Sequence, residues 1–267
     1  MRLVSFEGGF GRVEDGAVVP MGPSLVDWLA FGTQGVALGA PRPLAEVRLL
    51  APVPRPGKII CVGLNYRDHA KETGQAIPTE PVLFSKFANS VVGPGADVVV
   101  PPEAADQVDY EAELAVVIGR RASRVAADDA LDHVAGYACA NDVSARSLQF
   151  RSSQWLLGKA IDTFLPLGPW LVTADEVPDP QALGIRCLVN DEVVQDSDTG
   201  QMVFGVAELI AYASRTITLE PGDLLVTGTP SGVGMATDPP RFLGPGDRMR
   251  VEIDGLGQLD NTVRARS

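Results

Sequence analysis

Histidine is scarce in this chain: His69 and His133 are the only two in 267 residues. A zinc site built from several histidines is therefore excluded. Cysteine is almost as rare. Cys61, Cys139 and Cys187 are odd in number, far apart and set in apolar strings. They read as reduced core residues of a cytoplasmic protein, not as a disulfide framework. Positive charge is in deficit, with 22 Lys and Arg against 34 Asp and Glu and a net charge of -12. That balance argues against nucleic acid and anionic membranes as partners. It leaves room for a small anion, because one site can be positive where the whole is negative. No run is long enough to span a bilayer, and Met1–Phe6 lacks the apolar stretch of a signal peptide.

What is present is ample for a core, since 45% of the residues are hydrophobic. Residues 1–55 read as a small N-terminal β domain: short strands near Leu3–Phe6, Val13 and Ala17–Pro20, then a helix Leu25–Phe31 capped by Ser24. Five prolines in Pro41–Pro56 mark a connector to a larger domain, residues 56–267. That domain reads as mostly strands, with one convincing helix at Val206–Arg215. Two Pro-Gly-Asp turns, at 221–223 and 245–247, precede strands, and they are the only internal repetition found.

The larger domain is organised around Val108–Gly119. After Tyr110 it reads as a strand, and alternation puts Glu111 and Glu113 on one face. Leu114, Val116 and Ile118 take the other, while Ala115 and Val117 continue the acidic face as apolar. Two neighbouring carboxylates on a strand that is apolar on both sides repel each other and lose hydration. A hard divalent ion, Mg²⁺ or Mn²⁺, would resolve this, and a solvated edge strand is the plain alternative.

Other candidates lie along the chain. His69 and Glu72 sit at i, i+3 after the buried strand Lys58–Gly63; a carboxylate beside an imidazole fixes its tautomer and raises its basicity. One solvated helical turn is the alternative. Asp142 closes a small-residue strand and can reach into a pocket or cap a helix running to about Trp155. On that helix Arg146 and Gln149 would share its face. Lys159 stands in apolar surroundings, as a fixed positive charge or as a snorkelling surface lysine. Lys86, near the acidic strand in sequence, joins the substrate-binding candidates. Gly228–Gly234 lacks the Lys-Ser/Thr of a Walker loop. Its glycines and Thr229 suit an anion or carboxylate cradle, or a structural turn.

Together these motifs resemble the fumarylacetoacetate hydrolase family, over roughly residues 58–260. The resemblance rests on Lys58–Tyr66 with His69 and Glu72, on Asp109–Leu114, on Asn141–Arg146 with Gln149, on Gly158-Lys159, and on Thr227–Gly234. It implies a β-rich α+β fold, a mixed sandwich or roll with few short helices, assembled as a homodimer. It further implies one Mg²⁺ or Mn²⁺ per subunit on Glu111, Glu113 and Asp142. Longer members supply another acid near the position of Val62 here, so a three-acid site is expected. By the same resemblance His69 and Glu72 form a water-activating dyad on a lid and Lys159 is the active-site lysine. Arg146, Gln149 and Thr229 bind substrate or support the site.

The implied activity is hydrolysis of a 2,4-dioxo acid of acylpyruvate type, giving pyruvate or a related 2-oxo acid plus a carboxylic acid. The alternative is oxaloacetate decarboxylation or tautomerisation, or isomerisation or hydration of a 2-oxo dienoate, since all of these stabilise an enolate. A non-catalytic ligand-binding protein on the same scaffold would show no turnover. Specificity is expected in the walls formed by residues 67–80 and Met235–Phe242.

Overall fold

A computed structural model describes residues 1–32 and 39–266. The architecture is β-rich with short helices, as the sequence implies. Its main sheet contains twelve strands, and the ones that position the site lie side by side. Ala112–Ile118 is flanked by Val134–Asn141 and Leu224–Val226, the latter parallel to Ile59–Gly63, which pairs in turn with Val82–Lys86. Beyond Val134–Asn141 the sheet continues through Leu165–Thr173 to Arg2–Phe6, so the first strand of the chain is laddered into it. A second sheet of five strands runs from Glu192–Asp198 through Gly184–Val189, Arg248–Ile253 and Gly257–Ala265 to Asp97–Val100.

Ala112–Ile118 is buried along its whole length. Ala112, Leu114, Val116 and Ile118 enter one core cluster, with Leu209, Ile210, Val251 and Leu259. Ala115 and Val117 enter a second, with Leu3, Phe10, Leu171 and Val226. A side-chain period of two therefore feeds two cores from one strand. The ladder begins at Ala112 and not at Glu111, because the Glu111 N–H is donated to the Asn141 side chain at 3.0 Å.

The N-terminal elements form as expected. Ser24 caps Leu25–Phe31 by accepting the Asp27 N–H. The proline-rich stretch folds back onto the N-terminal strands: Arg42–Pro43 pairs with Ala17–Val18, Leu49–Leu50 pairs with Ser5–Phe6, and Val53 is buried. Val206–Ser214 is helical, with Val206, Leu209, Ile210 and Ala213 inward. The two Pro-Gly-Asp turns use one device, an aspartate that accepts the N–H three residues back: Glu220 to Asp223 and Gly244 to Asp247, each 2.7 Å. Cys61, Cys139 and Cys187 are free and buried.

One expected helix is absent. Instead of starting a helix, Asp142 donates its N–H to Glu111 O at 2.9 Å, and Ser144–Ala145 pairs with Val108–Asp109. Only Arg146–Gln149 is helical, and a second short helix follows at Leu156–Lys159. The two cross so closely that a β-carbon at Gly158 would lie 2.5 Å from Gln149 N. That crossing, allowed by one glycine, turns Lys159 back toward the acids.

Candidate active site and metal centre

Glu111, Glu113 and Asp142 each place a carboxylate oxygen within 4.8 Å of the others, and all three are buried. Glu113 arrives from the strand Ala112–Ile118 and Glu111 from the residue just before it, while Asp142 directly follows the adjacent strand, Val134–Asn141. Asn141 holds the corner through the Glu111 N–H.

The triad is only partly neutralised. The Lys159 ammonium bonds Glu111 Oε2 at 2.6 Å and Asp142 Oδ2 at 2.8 Å. Lys86 bonds Asp142 Oδ1 and the Val143 carbonyl. Arg146 contacts Glu111 Oε1 at 2.6 Å and grips Asp109 from Nε at 2.9 Å. Burial raises the Glu111 carboxyl, but Lys159 and Arg146 outweigh it and hold the group at about 2. Burial also lowers Lys159, yet Asp142 and Glu111 lift it to about 12, so it stays charged at any working pH. Lys86 is lowered, chiefly by burial. Glu113 differs from its neighbours: among the described residues its carboxylate has one hydrogen bond, from the Gly228 N–H at 2.6 Å. Burial first, then Asp142 and Glu111, push it well above the carboxylate range.

Three carboxylates with converging oxygens, one of them uncompensated, suit a hard divalent cation. The donor set contains no sulfur or nitrogen that would favour a softer ion.

His69 and Glu72 lie on the short helix Arg67–Glu72, with Nδ1 2.9 Å from Glu72 Oε2. The helix is latched on three sides. Arg67 donates to Met202 O, Ser197 donates to Asp68 at 2.6 Å, and Glu72 Oε1 accepts the Gly232 N–H at 2.7 Å.

The glycine-rich loop is a carboxylate cradle, and the carboxylates it holds are the protein's own. Besides Gly228 on Glu113 and Gly232 on Glu72, the Gly234 and Met235 amides hold Asp109 at 2.8 and 3.1 Å. Gly232 has φ +100°, and a β-carbon there would sit 2.1 Å from Val194 O. Gly232→Ala should therefore destabilise by about 1–3 kcal/mol and detach Glu72. Thermal unfolding and turnover measured together check this; an unchanged kcat would separate the latch from the dyad.

A cleft of about 110 Å³ joins these groups, lined by Glu111, Glu113, Lys159, Arg146, Gln149, Thr229 and His69. Neither Lys86 nor Asp142, to which it is bonded, lines it. Thr73 and Gln75 from the expected 67–80 wall, and Met235 from the other, also border it. Phe84 and Trp155 add an aromatic wall, edge-on at 5.3 Å. Sequence reasoning assigned no role to Trp155, to Asp109 or to Gln195. Gln195 is buried and clamps the Ala112 N–H to Thr229 and Pro230. Asp109 had a signal, a third acid beside two others; Gln195 had none.

A β-rich fold carrying a buried three-carboxylate site beneath a His–Glu helix is that of the fumarylacetoacetate hydrolase family. The chain belongs to it: residues 58–264 match the family described as Fumarylacetoacetate (FAA) hydrolase C-terminal. It is an enzyme of that family. It is 54% identical over 223 residues to the human protein Oxaloacetate tautomerase FAHD2A, mitochondrial, covering 83% of this chain and 71% of that one. A Xenopus laevis relative, Oxaloacetate tautomerase fahd2, mitochondrial, is 53% identical over 221 residues, covering 82% and 69%. Among solved structures, fumarylacetoacetate hydrolase from Exiguobacterium antarcticum has a TM-score of 0.89 at 38% identity over the whole of both chains. The 2-hydroxyhepta-2,4-diene-1,7-dioate isomerase of Mycobacterium marinum gives 0.82 at 38%, covering 100% of this chain and 98% of that one.

These relatives overturn the expected cytoplasmic location, since the human, Xenopus and bovine proteins are mitochondrial. Buried free thiols report a reducing environment and do not distinguish one such compartment from another. Among the described residues, no helix is long and apolar enough to cross a membrane.

Proposed function

We propose that this enzyme interconverts the keto and enol forms of oxaloacetate, with Mg²⁺ or Mn²⁺ on Glu111, Glu113 and Asp142. The observation that carries the reading is its likeness to oxaloacetate tautomerases, joined to a site equipped to stabilise an enolate. It replaces acylpyruvate hydrolysis as the first choice. The cleft supports it too: about 110 Å³, roughly the room of four waters at about 30 Å³ each, suits a small acid better than a bulky one.

When bound, the ion supplies Lewis-acid stabilisation of negative charge at the 2-oxo group. The protein's own groups do the rest. With Nδ1–H donated to Glu72, His69 keeps a lone pair on Nε2 and can take the proton from C3 and pass it to the 2-oxygen, or carry it from the enol hydroxyl to C3 in the reverse direction. Lys159 is a fixed charge facing the oxygen on which charge grows; held near 12, it does not act as a base. Arg146 and Gln149, bonded to each other at 3.0 Å, and Thr229 form the polar wall that orients the acid.

The same dyad is what water activation needs, which keeps acylpyruvate hydrolysis as the second reading. The test follows the ultraviolet absorbance of enol-oxaloacetate, with acetylpyruvate in parallel, in EDTA-treated protein before and after Mn²⁺. Metal-dependent acceleration of enol–keto conversion is expected. Turnover of acetylpyruvate alone would return the assignment to the hydrolase.

A further inference from the structure

Lys86 ends the strand Val82–Lys86 and is fully buried, with a side-chain exposure of 0%. Its ammonium is committed to Asp142 Oδ1 and, at 2.9 Å, to Val143 O. The other Asp142 oxygen accepts Lys159 at 2.8 Å. One carboxylate thus carries a lysine on each oxygen, and the two lysines differ in place. Lys159 borders the cleft; Lys86, like Asp142 itself, does not. Burying a second ammonium costs several kcal/mol, and a single lysine already pairs with Asp142.

The charge count shows what the second lysine changes. Counted with all three acids ionised, as holding a divalent ion requires, Glu111, Glu113 and Asp142 carry three negative charges and Lys86 and Lys159 two positive ones, a net of minus one; Arg146 and Asp109 cancel as a pair. A divalent ion makes this plus one, which attracts a dianionic acid. Without Lys86 the same site is minus two empty and neutral when loaded. It would hold the cation harder and the anion less.

The geometry points to Lys86 as a positioning residue that acts through Asp142: it weakens the site's hold on the divalent ion and strengthens the loaded site's hold on the dianionic substrate. The substrate half rests on the reaction proposed above; the metal half rests only on the seat proposed for the ion on Glu111, Glu113 and Asp142.

The test uses Lys86→Met and Lys86→Gln as neutral variants and Lys86→Arg as the charge-keeping one. Calorimetric titration of EDTA-stripped protein with Mn²⁺ reads the first half. Titration of Mn²⁺-loaded protein with oxalate, a dianion that cannot enolise, reads the second without turnover. In the neutral variants Mn²⁺ should bind about tenfold tighter and oxalate about tenfold weaker, the scale of one charge in a partly screened site. The KM for oxaloacetate should rise more than kcat falls, and Lys86→Arg should stay near the natural protein. Opposite signs are the signature, because structural damage weakens both. If Mn²⁺ weakens in both neutral variants, or oxalate affinity does not move, the assignment is wrong. Loss of oxaloacetate turnover in the natural protein would remove the proposed function and leave both titrations standing.

Discussion

Glu113→Gln is expected to abolish metal-dependent turnover and, in EDTA, to leave a protein more stable than the natural one. Glu113 is 1% exposed, sits beside two other carboxylates and, among the described residues, has only the Gly228 amide as a hydrogen-bond partner. An amide of the same shape can still accept that N–H and no longer brings a charge. Removing an uncompensated buried charge stabilises by about 1–4 kcal/mol, which for a chain of this size raises Tm by roughly 2–4 °C per kcal/mol. With Mn²⁺ the order should reverse, because the natural site gains a ligand and the variant does not.

The pH dependence has a definite sign. Glu113 has a folded pKa raised above its unfolded value, so its contribution is best at low pH and is lost as pH rises through that raised pKa. The advantage of the Glu113→Gln variant over the natural protein should therefore grow from the ordinary carboxylate range upward. Glu111, held at about 2, works the other way: its contribution is present above the unfolded pKa and is lost as pH falls toward 2. Melting curves in EDTA across pH check both. Equal Tm values at every pH would show that Glu113 carries no uncompensated charge.

Glu72→Gln should lower kcat for tautomerisation by about 10²–10⁴, the range of a lost general base. Both Glu72 oxygens are in use, Oε2 toward His69 Nδ1 at 2.9 Å and Oε1 toward Gly232 N–H at 2.7 Å. An amide has one acceptor. If its oxygen stays on Gly232, the NH₂ faces Nδ1 and drives the imidazole proton to Nε2, where the base should be. If it turns, the loop contact is lost. Decarboxylation of oxaloacetate provides an internal control, since it needs enolate stabilisation but no proton abstraction. It should fall much less. Equal loss of both activities would show that the dyad does something other than move a proton.

Much of the site was legible because its parts lie on strict periodicities. Glu111 and Glu113, two apart at the start of a strand, and His69 and Glu72, three apart on a helical turn, meet as their spacing requires. The apolar run Leu114–Ile118 announced burial, and two cores received it. What stayed hidden depended on contacts between distant segments. The helix expected from Asp142 was overruled by pairing of that residue with Glu111 and of Ser144 with Asp109, which propensity does not encode. The glycine loop read as a cradle, but its occupants come from residues 72, 109 and 113. Lys86 was placed near the acidic strand by sequence distance, whereas strand pairing with Ile59 brings it to Asp142, outside the lining of the cleft. The compartment is no property of the fold.

The strand that carries the acids is locked by hydrophobic packing on both faces and hydrogen-bonded on both edges. A substitution that moved it would have to disturb two cores at once, so selection has almost no freedom there. Freedom lies in the helix with His69, the turn with Trp155 and the loop through Met235, held by a few polar contacts or, for Trp155, an aromatic one. New chemistry on this scaffold is therefore expected to arise by changing the rim around a fixed charge. That is consistent with relatives of similar fold carrying the names of a tautomerase, an isomerase and a hydrolase.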